Sequence, residues 1–379
     1  MIAKSTVPKL RFPGFNGRWE IKKLSDATTI NPKTTNLPDR FVYIDLESVS
    51  EGKLRQRKKI LRTDAPSRAQ RNLAVGDTLF QMVRPYQRNN YLLQENYDYY
   101  VASTGYAQIR SRVPGFTYQL IHTDTFVNKV LNKCTGTNYP AINSSDLGAI
   151  TVCLPSDSKE QKKIAGFLTL MDERIVMIDK KVGLMKQYKK GVMQNIFTQK
   201  LSFKDENGKD YPAWQTKKLS DIANKLNSPI SANEIERRSG KYKVFGASGF
   251  LQTLDSFDQA EEYTAIVKDG AGVGRLMWLE AKSSVLGTLN IIKPKANNDS
   301  KYLHYLLQTI DITKYSTGST IPHVYFKDYA KQSVGVPSIK EQQKIAEFLT
   351  NLDDKINITE NQLIQIKNYK KSLLQRMFV

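Results

Sequence analysis

The sequence predicts an α+β chain built as a tandem repeat. Each copy is a frame that holds its own insert and ends in a long helix, and the two helices pair with each other as a coiled coil, which if antiparallel has pseudo-two-fold symmetry. Three observations predict this. Short motifs recur in the same order in both halves, two segments carry apolar residues on a seven-residue stripe, and the stretches between the motifs do not match.

The motifs come first. Trp19-Glu20-Ile21-Lys22-Lys23-Leu24-Ser25-Asp26 returns 195 residues on as Trp214-Gln215-Thr216-Lys217-Lys218-Leu219-Ser220-Asp221. Thr135-Gly136-Thr137-Asn138-Tyr139-Pro140 returns 182 residues on as Thr317-Gly318-Ser319-Thr320-Ile321-Pro322. Glu160-Gln161-Lys162-Lys163-Ile164-Ala165 returns 181 residues on as Glu341-Gln342-Gln343-Lys344-Ile345-Ala346. Residues 33–145 and 228–327 resemble each other poorly and differ in length by 13 residues. A fixed order with unlike contents is the mark of a frame that carries two different readers.

The stripes follow. After Pro155, Ile164, Leu168, Met171, Ile175, Ile178, Val182, Met185, Val192 and Ile196 recur at steps of three and four, with Lys189 in a polar slot. After Pro337, Ile345, Leu349, Leu352, Ile356, Leu363, Ile366, Leu373 and Met377 keep the same register, with Thr359 and Lys370 as polar slots. This heptad pattern reads as a coiled coil. Each helix starts after a Pro-Ser pair followed by Glu. Gly166, Gly183 and Gly191 weaken the first helix by about 1 kcal/mol each where exposed, so it needs a partner. The other stripe is the simplest one; the alternative is that each helix packs on its own domain. Positions 164–196 span about 48 Å at ~1.5 Å per residue. An antiparallel pair of that length holds the two inserts apart like a ruler, at a spacing suited to half-sites on duplex DNA.

Composition limits the partners. The 379 residues carry 57 Lys+Arg against 37 Asp+Glu, a net charge of +20. Such an excess favours a phosphate backbone or an anionic membrane. No run approaches a membrane span, and the opening MIAKSTVPKLRFPGF lacks a signal-peptide core. Cys134 and Cys153 make neither a disulfide framework nor a four-ligand zinc site. The expectation is a cytoplasmic, reduced protein with no metal centre, and a length sufficient for two or three domains.

The first insert holds 16 Lys+Arg against 9 Asp+Glu. Arg55, Arg57, Lys58, Lys59 and Arg62 come first, then Arg68 and Arg71, then Arg84 and Arg88, interleaved with Gln56, Gln81, Tyr86, Gln87, Asn89, Asn90 and Tyr91. Arg fits guanine edges, Asn and Gln fit adenine, and all bond phosphates. The alternative is a solvated basic face. Thr104-Gly105-Tyr106 reads as a tight turn presenting an aromatic, or as an ordinary turn with a buried Tyr. In the second insert, 12 Lys+Arg against 10 Asp+Glu say little. Its candidate is Lys268-Asp269-Gly270-Ala271-Gly272-Val273-Gly274-Arg275. Strand-like stretches on both sides argue for a hairpin or bulged loop rather than a dinucleotide site. Thr317, Gly318, Ser319, Thr320 and the adjoining His323 complete the candidate DNA-facing set. His122 and His304 have no partners at metal-site spacing.

Catalytic signatures are few. No GxxxxGK[ST], GxSxG or HExxH occurs, and Asn31-Pro32-Lys33 stops short of an adenine-methyltransferase box. One pattern remains: Asp39, Glu51 and Lys53 match the Pro-Asp…Glu-x-Lys signature of metal-dependent nucleases, in which two carboxylates hold a divalent ion. A nuclease is therefore the alternative reading of the chain.

The order Leu10-Arg11-Phe12-Pro13-Gly14-Phe15…Trp19…Lys23-Leu24, insert, Thr-Gly-x-x-x-Pro and Glu-Gln-x-Lys-Ile-Ala-x-Phe-Leu with its long helix, given twice, resembles the specificity subunit of type I restriction–modification systems. The resemblance covers essentially the whole chain. It implies two target recognition domains of mixed α/β form, each reading one half of an asymmetric bipartite site in double-stranded DNA. It implies partners as well: two modification (methyltransferase) subunits using S-adenosylmethionine and two restriction subunits using ATP and Mg2+. The chain itself would hold no cofactor and no catalytic residue. The expected layout is a first recognition domain at 1–155, a central spacer helix at 156–200, a second recognition domain at 201–336 and a C-terminal spacer helix at 337–379.

Overall fold

The Trp motif of each half forms a short strand that closes its own repeat. Glu20–Lys23 pairs antiparallel with Thr151–Leu154, just before the first long helix. Gln215–Lys218 pairs antiparallel with Ser333–Val336, just before the second. The two ends of each insert are thereby tied together beside the start of a long helix. The computed structural model containing these pairs describes residues 6–34, 36–94, 96–231 and 240–379. The first five residues of the opening stretch, together with Thr35, Glu95 and 232–239 of the inserts, lie outside the described residues. Among the described residues no helix is long and apolar enough to cross a membrane.

The chain forms two compact units, Met1–Asp179 with Asn361–Val379, and Lys180–Glu360. The expected layout gives each long helix a segment of its own. The contacts instead divide both helices, Ser158–Phe197 and Ile339–Met377, between the units. The reason is the apolar stripe, which serves a domain core as well as a helix pair. In the first unit Ile164, Ala165, Leu168, Leu373 and Met377 share a core with Trp19, Phe80, Phe116 and Phe126. In the second, Val192, Ile196, Ile345 and Leu349 share one with Leu219, Ile266, Tyr302 and Leu303.

The two inserts have a common topology despite their dissimilar sequences. In the first, one sheet runs in the order Lys58–Leu61, Arg40–Ile44, Tyr100–Ser103, Ala69–Asn72, with the middle two strands parallel. The other runs Thr29–Ile30, Tyr106–Arg110, Thr78–Gln81, Tyr91–Leu92, all antiparallel. In the second insert Gly249–Leu254, Tyr242–Gly246 and Ser284–Val285 repeat three of those four strands, again with one parallel pair and, among the described residues, without a counterpart of Ala69–Asn72. Ala223–Asn227, Leu289–Pro294, Tyr263–Val267 and Leu276–Leu279 repeat the second. The central strands are continuously buried, as in Tyr263–Val267, so they demand β-branched and aromatic residues without demanding particular ones. That tolerance lets the sequences diverge while the strand order persists.

Within each unit the long helices run antiparallel. In the second, Lys186 Nζ pairs with Glu360 at 2.5 Å and Lys189 Nζ with Asp353 at 2.6 Å, so one helix ascends as the other descends. In the first, Lys370 Nζ pairs with Asp172 at 2.5 Å. Asp172 and Asp353 are equivalent positions of the two repeats, and so are Lys189 and Lys370. Each unit therefore holds the same bridge with the contributing repeats exchanged. The polar slots in the stripes are thus functional positions in the helix pair: Lys189 and Lys370 are only 14% and 15% exposed along their side chains. Each aspartate also accepts a hydrogen bond from its own domain, from Gln119 Nε2 at 2.8 Å onto Asp172 and from Tyr305 Oη at 2.8 Å onto Asp353. The Glu-Gln motif has a local task at the helix starts. Gln161 Nε2 donates to the Pro155 carbonyl at 2.8 Å, and Gln342 Nε2 donates to the Pro337 carbonyl at 3.0 Å.

Removing Asp353 strips the charge partner from a mostly buried lysine and the acceptor from Tyr305. Asp353→Ala is expected to destabilise the full chain by about 2 kcal/mol. A double-mutant cycle with Lys189→Met in equilibrium urea unfolding measures the coupling; additive losses would count against the bridge.

His304 supplies a pH dependence to the second unit. It is buried, with Nδ1 3.1 Å from Thr264 Oγ1 and Nε2 2.8 Å from Gln308 Nε2. Burial pushes its pKa down from 6.5 to about 4, Lys301 and Lys189 reinforce the shift, and Asp353 opposes it. A folded pKa below the unfolded one means that the unfolded chain binds the extra proton. Stability from this group is complete above about 6.5 and declines as pH falls toward about 4. Urea midpoints across that window should fall in the wild type and fall less in His304→Gln.

Candidate nucleic-acid interface

In each unit the structure joins two segments that lie far apart in sequence. In the first, the turn after strand Thr78–Gln81 meets the Thr-Gly motif: the Arg84 amide donates to the Pro140 carbonyl at 2.7 Å, and Val83 bridges Ala141. In the second, the turn after Tyr263–Val267 meets the second Thr-Gly motif: the Gly270 amide donates to the Pro322 carbonyl at 2.9 Å, and Asp269 bridges His323. Arg84 and Gly270 thus stand at the same place, both left-handed, with φ of 53° and 77°. The motif glycines are required by the backbone. Gly136 and Gly318 have φ of 90° and 91°, and a Cβ there would meet the carbonyl oxygens of Tyr139 at 3.0 Å and Ile321 at 2.7 Å.

The same frame presents different chemistry in the two units. The first offers guanidinium and aromatic groups: Arg84 lies over the Tyr139 ring at 4.1 Å, and Tyr86 and Tyr139 are exposed. The second offers a small, polar, backbone-rich surface. Gly270, Gly272 and Gly274 all have positive φ. The loop closes the antiparallel pair Tyr263–Val267 and Leu276–Leu279, so it is a hairpin loop, not the strand–turn–helix of a dinucleotide site. His323 Nδ1 lies 2.7 Å from Asp269 Oδ1, and Lys268 Nζ lies 3.9 Å from Asp269 Oδ2. Arg275 Nη1 donates to the Ala247 carbonyl at 2.9 Å, while Thr317, Gly318, Ser319 and Thr320 are exposed.

Other members of the expected DNA-facing set separate by environment. Lys58 and Lys59 lie on the edge strand Lys58–Leu61, Lys59 pairing with Asp98 at 2.7 Å. Arg55 pairs with Glu51 at 3.2 Å, and Arg57 and Arg62 are exposed. Tyr106 requires a correction. Its side chain is fully buried among Val42, Ile44 and Leu79, its hydroxyl donates to the Asn89 carbonyl at 3.3 Å, and burial pushes its pKa up. It is a core residue, and of its turn only Thr104 and Gly105 are partly exposed. Arg88 is committed to the fold as well, pairing with Asp124 and donating to the His122 carbonyl at 2.9 Å. Asn89 ties two loops through Glu51 N to its Oδ1 at 3.2 Å. Tyr139 and Ile321 are exposed at equivalent motif positions and were not singled out from sequence; an apolar side chain inside an otherwise polar turn was the available signal.

The nuclease reading does not survive the geometry. Asp39 lines a cavity with Arg40, Lys59 and Asp98. Glu51 and Lys53 line a different one with Tyr118 and Asp172, and Lys53 Nζ lies 3.7 Å from Asp179. Two carboxylates in separate cavities do not hold one ion. Among the described residues no group of three or more His, Cys, Asp or Glu is placed to do so.

Residues 211–368 match the family described as the type I restriction modification DNA specificity domain. The type I restriction enzyme MjaIX specificity subunit of Methanocaldococcus jannaschii is 22% identical over 296 residues, 70% of this chain and 68% of that protein. This chain is similar to type I restriction–modification specificity subunits. The EcoDI specificity subunit of Escherichia coli is 27% identical over 164 residues, 43% of this chain and 36% of that one. Three M. jannaschii relatives are matched over 60%, 68% and 64% of their own lengths. The fold is shared with the solved type I S subunit of M. genitalium, with a TM-score of 0.63 at 16% identity over 98% of this chain and 99% of that one. A chain from work on complex assembly and conformational transition of the type I R-M system has a TM-score of 0.58 at 20% identity, over 97% of this chain and 98% of that one.

Burial separates the two kinds of residue in this chain. Tyr106→Ala should cost about 3–5 kcal/mol of stability. Lys58→Ala should change stability by no more than about 0.5 kcal/mol. Urea unfolding distinguishes them; equal losses would contradict the assignment of Tyr106 to the core.

Proposed function

We propose that this chain is the DNA-recognition subunit of a type I restriction–modification complex. In this reading its two inserts are target recognition domains, each reading one half of an asymmetric bipartite site, and the chain itself performs no catalysis. One observation carries the reading: equivalent loop pairs on a common frame present unlike chemistry, Arg84 with Tyr139 in one unit and Gly270 with His323 in the other. A frame repeated with its readers changed is what an asymmetric target demands.

The proposed DNA-facing residues are Arg55, Arg57, Lys58, Lys59, Arg62, Arg84, Tyr86, Thr104 and Gly105 in the first unit. In the second they are Lys268, Asp269, Gly270, Arg275, Thr317, Gly318, Ser319, Thr320 and His323. Lys and Arg supply the phosphate contacts that set the salt dependence, and the loop pairs supply base discrimination. The segments 1–155 and 201–336 serve as the recognition domains, with 156–200 and 337–379 as spacer. Modification subunits using S-adenosylmethionine dock on this frame, and restriction subunits using ATP and Mg2+ complete the complex.

The spacer sets the gap. Seven residues inserted beside Met185, with seven at the matching place in the second helix, preserve the heptad register and add roughly 10 Å at ~1.5 Å per residue. Mapping methylated adenines in a strain carrying this variant should show a longer gap between unchanged half-sites. Replacing residues 33–145 by another insert should change one half-site alone. An unchanged gap in the first case, or two altered halves in the second, would refute the reading.

A further inference from the structure

The two repeats differ in a buried charge at the start of the long helix. In the first, Arg11 grips Glu160 with both arms, Nε to Oε1 at 2.7 Å and Nη2 to Oε2 at 2.8 Å. It also donates to the carbonyls of Gly17 at 2.6 Å and Asn16 at 3.1 Å. Glu160 is 1% exposed, so this guanidinium supplies the charge that the buried carboxylate requires.

The second repeat keeps the receptor and lacks the arginine. Phe12 packs on Phe167 with ring centroids 5.6 Å apart, and Phe203 packs on Phe348 at 5.5 Å. These pairs align Leu10-Arg11-Phe12 with Leu201-Ser202-Phe203, which puts Ser202 in the place of Arg11. Asn207-Gly208 likewise matches Asn16-Gly17, and Gly208 keeps the positive φ, 76° against 87°. Glu341 is the counterpart of Glu160. It is 3% exposed, and its Oε2 has no hydrogen-bond partner among the described residues. Burial pushes its pKa up, with a hydrogen bond from the Trp214 side chain opposing. A cavity of about 180 Å³ adjoins it, lined by Ser202, Phe203, Tyr211 and Trp214.

We propose that this cavity is a socket for an arginine side chain of a protein partner, seated on Glu341 as Arg11 is seated on Glu160. A planar guanidinium fits better than an ammonium: Oε2 is the carboxylate oxygen left without a donor among the described residues, and the aromatic side chains of Trp214, Tyr211 and Phe203 line the cavity in which a guanidinium can stack. Resting on the functional reading above, the donor is a modification subunit.

The test measures the affinity of the full chain for a cognate modification subunit by calorimetry. Ser202→Arg fills the socket from within; it should raise the thermal midpoint of the lone chain and weaken the complex at least tenfold. Glu341→Gln removes the charge while keeping the shape, relieves an uncompensated buried carboxylate, and should also weaken the complex at least tenfold. Complexes of wild-type affinity from both variants would overturn the socket and leave Ser202 as an internal pair simply lost. A wild-type chain that binds no modification subunit would instead overturn the functional reading.

Discussion

Asp172 and Asp353 hold the repeat together. Each accepts from a lysine on the other repeat's long helix and from a side chain of its own domain, Gln119 in one case and Tyr305 in the other. An apolar stripe alone is indifferent to sliding by a heptad and nearly indifferent to direction. A lysine set into the stripe is not, because burying its ammonium without a partner costs several kcal/mol. The bridge forms in both units only when the helices run antiparallel in this register. The same aspartates carry the constraint into the domains through Gln119 and Tyr305.

That constraint leaves the loops free. Backbone geometry holds the two Thr-Gly turns to one shape, with Gly136 and Gly318 where a Cβ would strike a carbonyl oxygen. The partner turn is held by backbone hydrogen bonds, from the Arg84 amide to Pro140 and the Ile142 amide to Met82 in one unit, and from the Gly270 amide to Pro322 and the Val324 amide to Lys268 in the other. An amide has no side chain to preserve, so side-chain identity at these positions can change without disturbing the turn. Backbone structure and side-chain chemistry are thereby separated in these loops.

The duplicated frame has also lost symmetry where its starts differ. Arg11 and Ser202 occupy equivalent places beside buried glutamates, and among the described residues only Glu160 has an internal counter-charge. A duplication begins with two identical surfaces; a buried carboxylate stripped of its guanidinium is the point at which the second ceases to behave like the first.

The sequence by itself determined the duplication, the two long helices, their polar slots and the glycine turns. Each of these rests on local constraint: a period of three and a half residues along a helix, or a φ that only glycine adopts without cost. Tertiary structure decided the rest. It made the unlike inserts one topology, because buried strands require apolar bulk and not specific residues. It decided Tyr106 for the buried side of the two readings its turn allowed, and it tied Arg88, which in sequence looks like surface chemistry, to Asp124. It placed Asp39 and Glu51 in separate cavities despite their proximity in the chain. Burial and charge pairing depend on which distant segments pack together, and no short stretch of sequence contains that information.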